Sequence, residues 1–270
     1  MSSIYISEMP SDECRRYAQE DAVVVIPMGS TELEGGHLPL GVDTIVAEGI
    51  ARRLENIYGV CVGPTLPIGY SKWFLPFAGT ISIETETLIR VLVEYVESLL
   101  VSGFRRFVIL NAHKGNNSCI ESAARTLTVS HRLQIGMLNL WKLANDLCAI
   151  EDGIIEEGRF THAGEIMTSV VMALKPETVV IERMQADYPR AIKNSAFSVK
   201  NSLGDVAFKG SVQKLFLDIR EITDSGTMGD PTNASAEKGE KIISRLVDYS
   251  REFIKELQKI SIQGARPETP

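Results

Sequence analysis

Apolar positions along the chain alternate between two periods. Residues 22–28 (AVVVIPM) form an uninterrupted run rich in β-branched side chains and stop at Gly29-Ser30, which predicts a buried strand emptying into a loop. Residues 43–56 then place Ile45, Val46, Ile50 and Leu54 at helical spacing, and residues 60–62 follow as a short strand. The pattern repeats further on. Residues 85–102 predict an amphipathic helix closed by Gly103, residues 107–110 (FVIL) a second buried strand, and a new helix starts near Asn116-Asn117, either of which can cap it. Residues 134–140 and 178–181 are further strand candidates, with a helix over 163–174 between them, and residues 236–257 form the last helix. Residues 182–235 scatter Asp, Asn, Ser and Gly and read as irregular. Such alternation predicts an α/β fold: a mostly parallel central sheet flanked by helices, with the ligand site beyond the carboxyl ends of the strands. No repeat or linker interrupts it, so residues 1–270 read as one domain.

Composition narrows the function classes. At 44% hydrophobic and 23% charged residues, the chain can bury a sizeable core. A formal charge of -7 argues against a nucleic-acid partner, and the Arg105-Arg106 pair reads as solvated surface. The first twenty residues carry Asp12, Glu13, Arg15, Arg16 and Glu20 in place of an apolar signal core, and no stretch reaches about 18 apolar residues. The expectation is a cytoplasmic protein without a membrane partner. Cys14, Cys61, Cys119 and Cys148 lie too far apart for a paired zinc motif and read as reduced structural thiols.

Candidate chemistry collects where the predicted strands end. After the first strand, residues 29–43 (GSTELEGGHLPLGVD) concentrate Glu32, Glu34, His37 and Asp43 among apolar Leu33, Leu38 and Leu40, suggesting buried charge that a metal ion would satisfy. On local pattern alone, Glu32 and Glu34 as exposed loop charges and Asp43 as a helix cap fit equally well. The second strand leads into residues 111–117 (NAHKGNN), which put His113 at the same edge of the sheet; by itself such a histidine is more often a satisfied core residue. Residues 161–165 (THAGE) open a helix with His162 and Glu165 within one turn, or equally an N-cap with an acidic residue favourable to the helix dipole.

In order, GSTELEGGHLPLGVD, FAGTISIETETL, GFRRFVILNAHKGNN, HAGEIMTS and GDPTNASAEKGE resemble the recurrent blocks of the creatininase (creatinine amidohydrolase) family, from about residue 22 to 245. That resemblance implies a three-layer α/β fold, a centre of two divalent metal ions (Mn, Zn or Fe), ring-form homo-oligomers, hexamers in particular, and hydrolysis of small cyclic or linear amides. Glu32 matches the Glu of the family's E-Q-H-G-P-H block, Asp43 its metal-bridging Asp and His113 the ligand His of its N-G-H block. Glu165 is the implied further carboxylate ligand, and His162 matches the active-site His. The chain also departs from the pattern. Glu34 stands where creatininase has a ligand His, Gly115 where it has a ligand Glu, and Met167 replaces a second Glu. Trp73 and Phe74 occupy a position where relatives often carry Glu-His, which makes that wall of the pocket more apolar.

With Glu34 and Glu165 both bound, four carboxylates and one His give a formal -4 that two divalent cations neutralise; such an oxygen-rich set favours Mn, Mg or Fe(II) while still admitting Zn. The implied reaction is attack on a small-molecule amide by a metal-bound hydroxide, with His162 carrying a proton to the leaving nitrogen. Lys114 is read as orienting substrate or offsetting charge, or equally as a solvent-exposed lysine, and His37 as a pocket residue holding a carboxylate. Two alternatives stay open: a ring-opening C–C hydrolase acting on a cyclic polyol-derived diketone of the 3-dehydro-scyllo-inosose type, and a non-catalytic binding relative with a degraded metal site. Creatinine itself is disfavoured, because the tryptophans expected near His162 are not matched.

Overall fold

The buried β-branched runs assemble into a parallel sheet. In the computed structural model, which describes residues 4–148, 153–201 and 204–262, β1 (Val23–Met28), β2 (Val60–Val62), β3 (Arg106–Asn111) and β4 (Gln134–Asn139) lie in the order β2-β1-β3-β4, all parallel. Every residue of β1 and β3 is buried, as central strands covered on both faces require. Successive side chains point to opposite faces. Val24, Ile26, Met28, Phe107 and Ile109 pack under α1 (Ser11–Gln19), α3 (Thr85–Val101) and α4 (Asn117–Ser130). Val23, Val25, Val108 and Leu110 pack under α2 (Val42–Arg52), α5 (Leu140–Cys148), α6 (Glu165–Leu174) and the long α8 (Ala236–Lys259). The result is a three-layer α/β sandwich. Met28, Asn111 and Asn139 end their strands side by side, so the loops after β1, β3 and β4 leave one edge together.

Several expectations are corrected. Residues 178–181 form no strand; Pro176 follows the end of α6 and starts one 3₁₀ turn (Pro176–Thr178), and a second (Ile181–Arg183) follows on the exposed surface. The stretch read as irregular holds a three-stranded antiparallel sheet, β5 (Ser198–Val199), β6 (Asp205–Phe208) and β7 (Ser211–Lys214), and a short α7 (Ile219–Ile222). Its apolar signal is faint because β7 (SVQK) is exposed throughout. The hairpin turns on Lys209 and Gly210, whose φ values of 46° and 81° are the paired left-handed geometry of a two-residue turn. Both α1 and α5 went unpredicted. Arg106 is not solvated surface: it is buried, ion-paired to Asp21 at 3.0 Å, and donates to the carbonyls of Leu257 and Ile260, fastening the end of α8 to the sheet. Of the expected domain over 1–270, its first three and last eight residues lie outside those described. Among the described residues, no helix is long and apolar enough to cross a membrane.

Candidate metal centre

The loop after β1 and the first turn of α2 are pressed together at Gly29, where an added Cβ would lie 2.4 Å from the amide nitrogen of Thr44. That close approach delivers Ser30 to Asp43, whose Oδ2 accepts from the Ser30 hydroxyl at 2.9 Å. From the other side Trp141, at the start of α5, donates its indole N–H to Asp43 Oδ1 at 2.8 Å. The loop after β3 brings in His113. Asn111 braces it by donating to the His113 carbonyl at 2.8 Å and accepting from the His113 amide at 3.1 Å. The His113 ring sits with Nδ1 2.9 Å from Asp43 Oδ2 and Nε2 3.0 Å from the Tyr70 carbonyl, with Glu32 Oε2 at 3.5 Å.

Two donor sets result. Glu32, Asp43 and His113 form one and Glu32, Glu34 and His162 the other, the ligand atoms within each lying no more than 4.8 Å apart. His162 donates Nδ1–H to the Gly226 carbonyl at 2.7 Å, which turns Nε2 toward Glu34 Oε2 at 3.1 Å and Glu32 Oε1 at 3.4 Å. Phe74 stacks on its ring, 4.8 Å between centroids and 12° between planes. Met228 donates to the His162 carbonyl, fixing the backbone just before Ala163, whose φ of 52° keeps α6 from starting before Glu165.

Electrostatics test whether this set suits a cation. Burial pushes the Glu34 carboxyl well above its ordinary value, and the charges of Asp43 and Glu32 push it further. Burial opposes the charge of Glu32 as well, but His113 and the hydrogen bond from His162 outweigh it and hold that carboxyl low. For His113 burial is again the largest influence and lowers the pKa, yet Glu32 and Asp43 together raise it to about 9. Glu32 Oε2 and Glu34 Oε2 are buried without a hydrogen bond, although His162 Nε2 lies 3.1 Å from the latter. Three carboxylates thus crowd together with orphaned oxygens and displaceable protons. Ligating carboxylates and imidazoles bind metal deprotonated, so a divalent cation fits this oxygen-and-imidazole set.

Not every expected residue joins it. Glu165 begins α6 fully buried, but its carboxylate accepts from Lys238 Nζ at 2.5 Å and the Glu157 amide at 2.8 Å, so the cluster carries three carboxylates and a formal -3 in place of -4. His37 is buried with Nε2 2.9 Å from Thr168 Oγ1; it holds a hydroxyl in place of the expected carboxylate and does not line the cavity. No side chain fits at Gly115, where a Cβ would lie 2.4 Å from both His113 Nε2 and the Tyr70 carbonyl. Lys114, Trp73 and Phe74 do line the cavity, which measures about 870 Å³ with its open mouth, and Glu32, Glu34, Asp43, His113 and His162 also face it. Met167 lines it too, as do Trp141, Phe160, Lys200, Asn201 and Met228, which the sequence reading passed over. Trp141 was within reach of the strand-end rule, standing two residues past β4.

A model of the family described as creatininase, creatinine amidohydrolase, matches residues 7–254. The mycofactocin precursor peptide peptidase of Mycobacterium tuberculosis (strain ATCC 25618 / H37Rv) is 30% identical over 256 residues, 90% of this chain and 88% of that protein. The 3-dehydro-scyllo-inosose hydrolase of Thermotoga maritima (strain ATCC 43589 / DSM 3109 / JCM 10099 / NBRC 100826 / MSB8) is 26% identical over 273 residues, 98% of this chain and 87% of that protein. Among solved structures, one described as "Creatininase Mn" superposes with a TM-score of 0.77 at 25% identity, covering 94% of this chain and 98% of its own.

Proposed function

The chain belongs to the creatininase family of metal-dependent hydrolases, and from that premise we propose that it hydrolyses a small amide, cyclic or linear, at the floor of this cavity. The observation that carries the reading is the buried pair of donor sets sharing Glu32, with two carboxylate oxygens left without hydrogen bonds. Glu32, Asp43 and His113 would hold one divalent ion, and Glu32 with Glu34 a second. The chemistry such ions supply is a lowered pKa for water and polarisation of a carbonyl.

The rest falls to the chain's own groups. Ser30 and Trp141 hold Asp43 from two sides, and Asn111 fixes the His113 loop, so the floor keeps one geometry. His162, held by Gly226 and stacked on Phe74, presents Nε2 beside Glu34 and carries the proton given up by the attacking water to the leaving nitrogen. Trp73, Phe74 and Phe160 wall off water and favour an apolar or cyclic substrate. The family match over 7–254 supports one domain. Homo-oligomerisation and a cytoplasmic location belong to the same proposal and rest on the family resemblance.

Metal analysis of protein purified without chelator, followed by a panel of cyclic amides, short peptides and oxidised inositols, tests the reading. About two equivalents of metal with a free amine or ammonia as product is expected. Ring-opened acid without amine would favour the second reading, which the likeness to the inosose hydrolase over 98% of this chain supports. Folded protein that takes up no metal would make it a binding relative.

A further inference from the structure

Three lysines line the cavity, and they are not equivalent. Lys72 is spent, its Nζ 2.5 Å from Glu84. Lys200 stands exposed at the mouth. Lys114, half-buried directly beside His113, makes no hydrogen bond or ion pair among the described residues; its Nζ rests over the Phe160 ring, 4.4 Å from the centroid. An aromatic face offsets part of an ammonium's desolvation but accepts none of its three N–H donors in the way an oxygen does. The floor carboxylates do not meet that need either, being turned toward His113 and His162. A second donor in the same cavity is also unspent: Trp73 Nε1 is buried without a partner among the described residues.

Two unpaired donors above an acidic floor call for a ligand that is anionic at one end and a neutral carbonyl at the other. We infer that the substrate is a small amide bearing a free carboxylate close to the scissile bond, an N-acyl amino acid or short peptide, and that Lys114 binds this carboxylate. The assignment rests on the amide-hydrolase reading above and adds a specificity residue to it. In the reaction water adds across the C–N bond: the acyl carbon takes the hydroxyl, the nitrogen takes the hydrogen, and the carboxylate on Lys114 is unchanged.

Binding measured by quenching of tryptophan fluorescence, Trp73 and Trp141 both lining the cavity, tests it on full-length, manganese-loaded protein. The probes are N-acetyl-L-phenylalanine and the matched neutral amide N-acetylphenethylamine. The acid should bind at least about tenfold more tightly, about 1.4 kcal/mol. Lys114→Met should erase that preference with metal content and melting temperature unchanged, and Lys114→Arg should keep most of it. Equal binding of acid and neutral probe, no acid binding at all, or a preference that survives Lys114→Met would overturn the inference. Loss of the hydrolase reading would show separately, as absence of metal uptake and of turnover, and the acid-over-neutral ratio does not depend on turnover.

Discussion

The floor of the cavity comes from the loops after β1 and β3, and two of its polar groups are braced on more than one side: Asp43 by Ser30 and Trp141, His113 by Asn111 and Tyr70. The roof comes from residues 72–74 and from the segment that carries Phe160, His162, Lys200 and Met228. It is built on fewer buried apolar residues, chiefly Phe74, Ile219, Ile222 and Met228, with exposed Phe216 tilted against Trp73 at 5.9 Å. One half is a rigid donor set braced by the sheet. The other shapes and shields what the floor acts on, and a small satellite core gives it less to resist deformation. The proposed metal chemistry belongs with the first, and the proposed substrate choice with the second together with Lys114 beside His113.

Substitutions that act on one half and spare the other sharpen this contrast. Asp43→Asn should have the largest effect, abolishing turnover and lowering metal content by at least one equivalent, because the residue faces both His113 and Trp141; elemental analysis beside a rate assay reads both. His162→Asn should reduce turnover by roughly 10²–10⁴-fold while the Glu32–Asp43–His113 ion stays bound. Loss of a full equivalent there would make His162 a ligand and move it from roof to floor. Lys238→Met strands the buried Glu165 carboxylate behind the His162 loop and should cost about 3 kcal/mol, read as a lower melting temperature with metal content retained.

A pH dependence of stability stands apart from both halves of the cavity. Burial lowers the His37 pKa from 6.5 to about 4, so the unfolded chain binds a proton there that the folded one refuses. The stability this group contributes is full above pH 6.5 and is lost as pH falls toward about 4. Melting temperatures of His37→Gln across that window should show a shallower decline than those of the native chain; parallel curves would assign the slope to other groups.

How much was legible follows the same division. Continuous apolar runs, which must be buried in a parallel sheet, fix the edge at which the loops carrying Glu32, Asp43 and His113 lie, but local pattern left their roles open and the resemblance to the family's blocks singled them out. The hairpin sheet β5–β7 was missed because its strands span only two to four residues and β7 is exposed throughout, too little to carry an amphipathic period. Glu165 was misread for a different reason. Its position at a helix start beside His162 is a local fact, but its partner Lys238 lies on α8, 73 residues away, and nothing local announces that pairing. Trp141 falls between these cases, at a strand end yet bound to Asp43 from 98 residues away.

By itself, then, the sequence determined the layered α/β architecture and the edge at which chemistry collects, since both follow from the periods at which apolar residues repeat along the chain. Which carboxylates face the cavity and which are neutralised elsewhere was decided by the tertiary structure, because a buried charge is settled by whatever group the fold brings within about 3 Å, however distant in the chain. Glu34 and Glu165 differ in that respect alone: both are buried, one toward His162 and two carboxylates, the other toward a lysine.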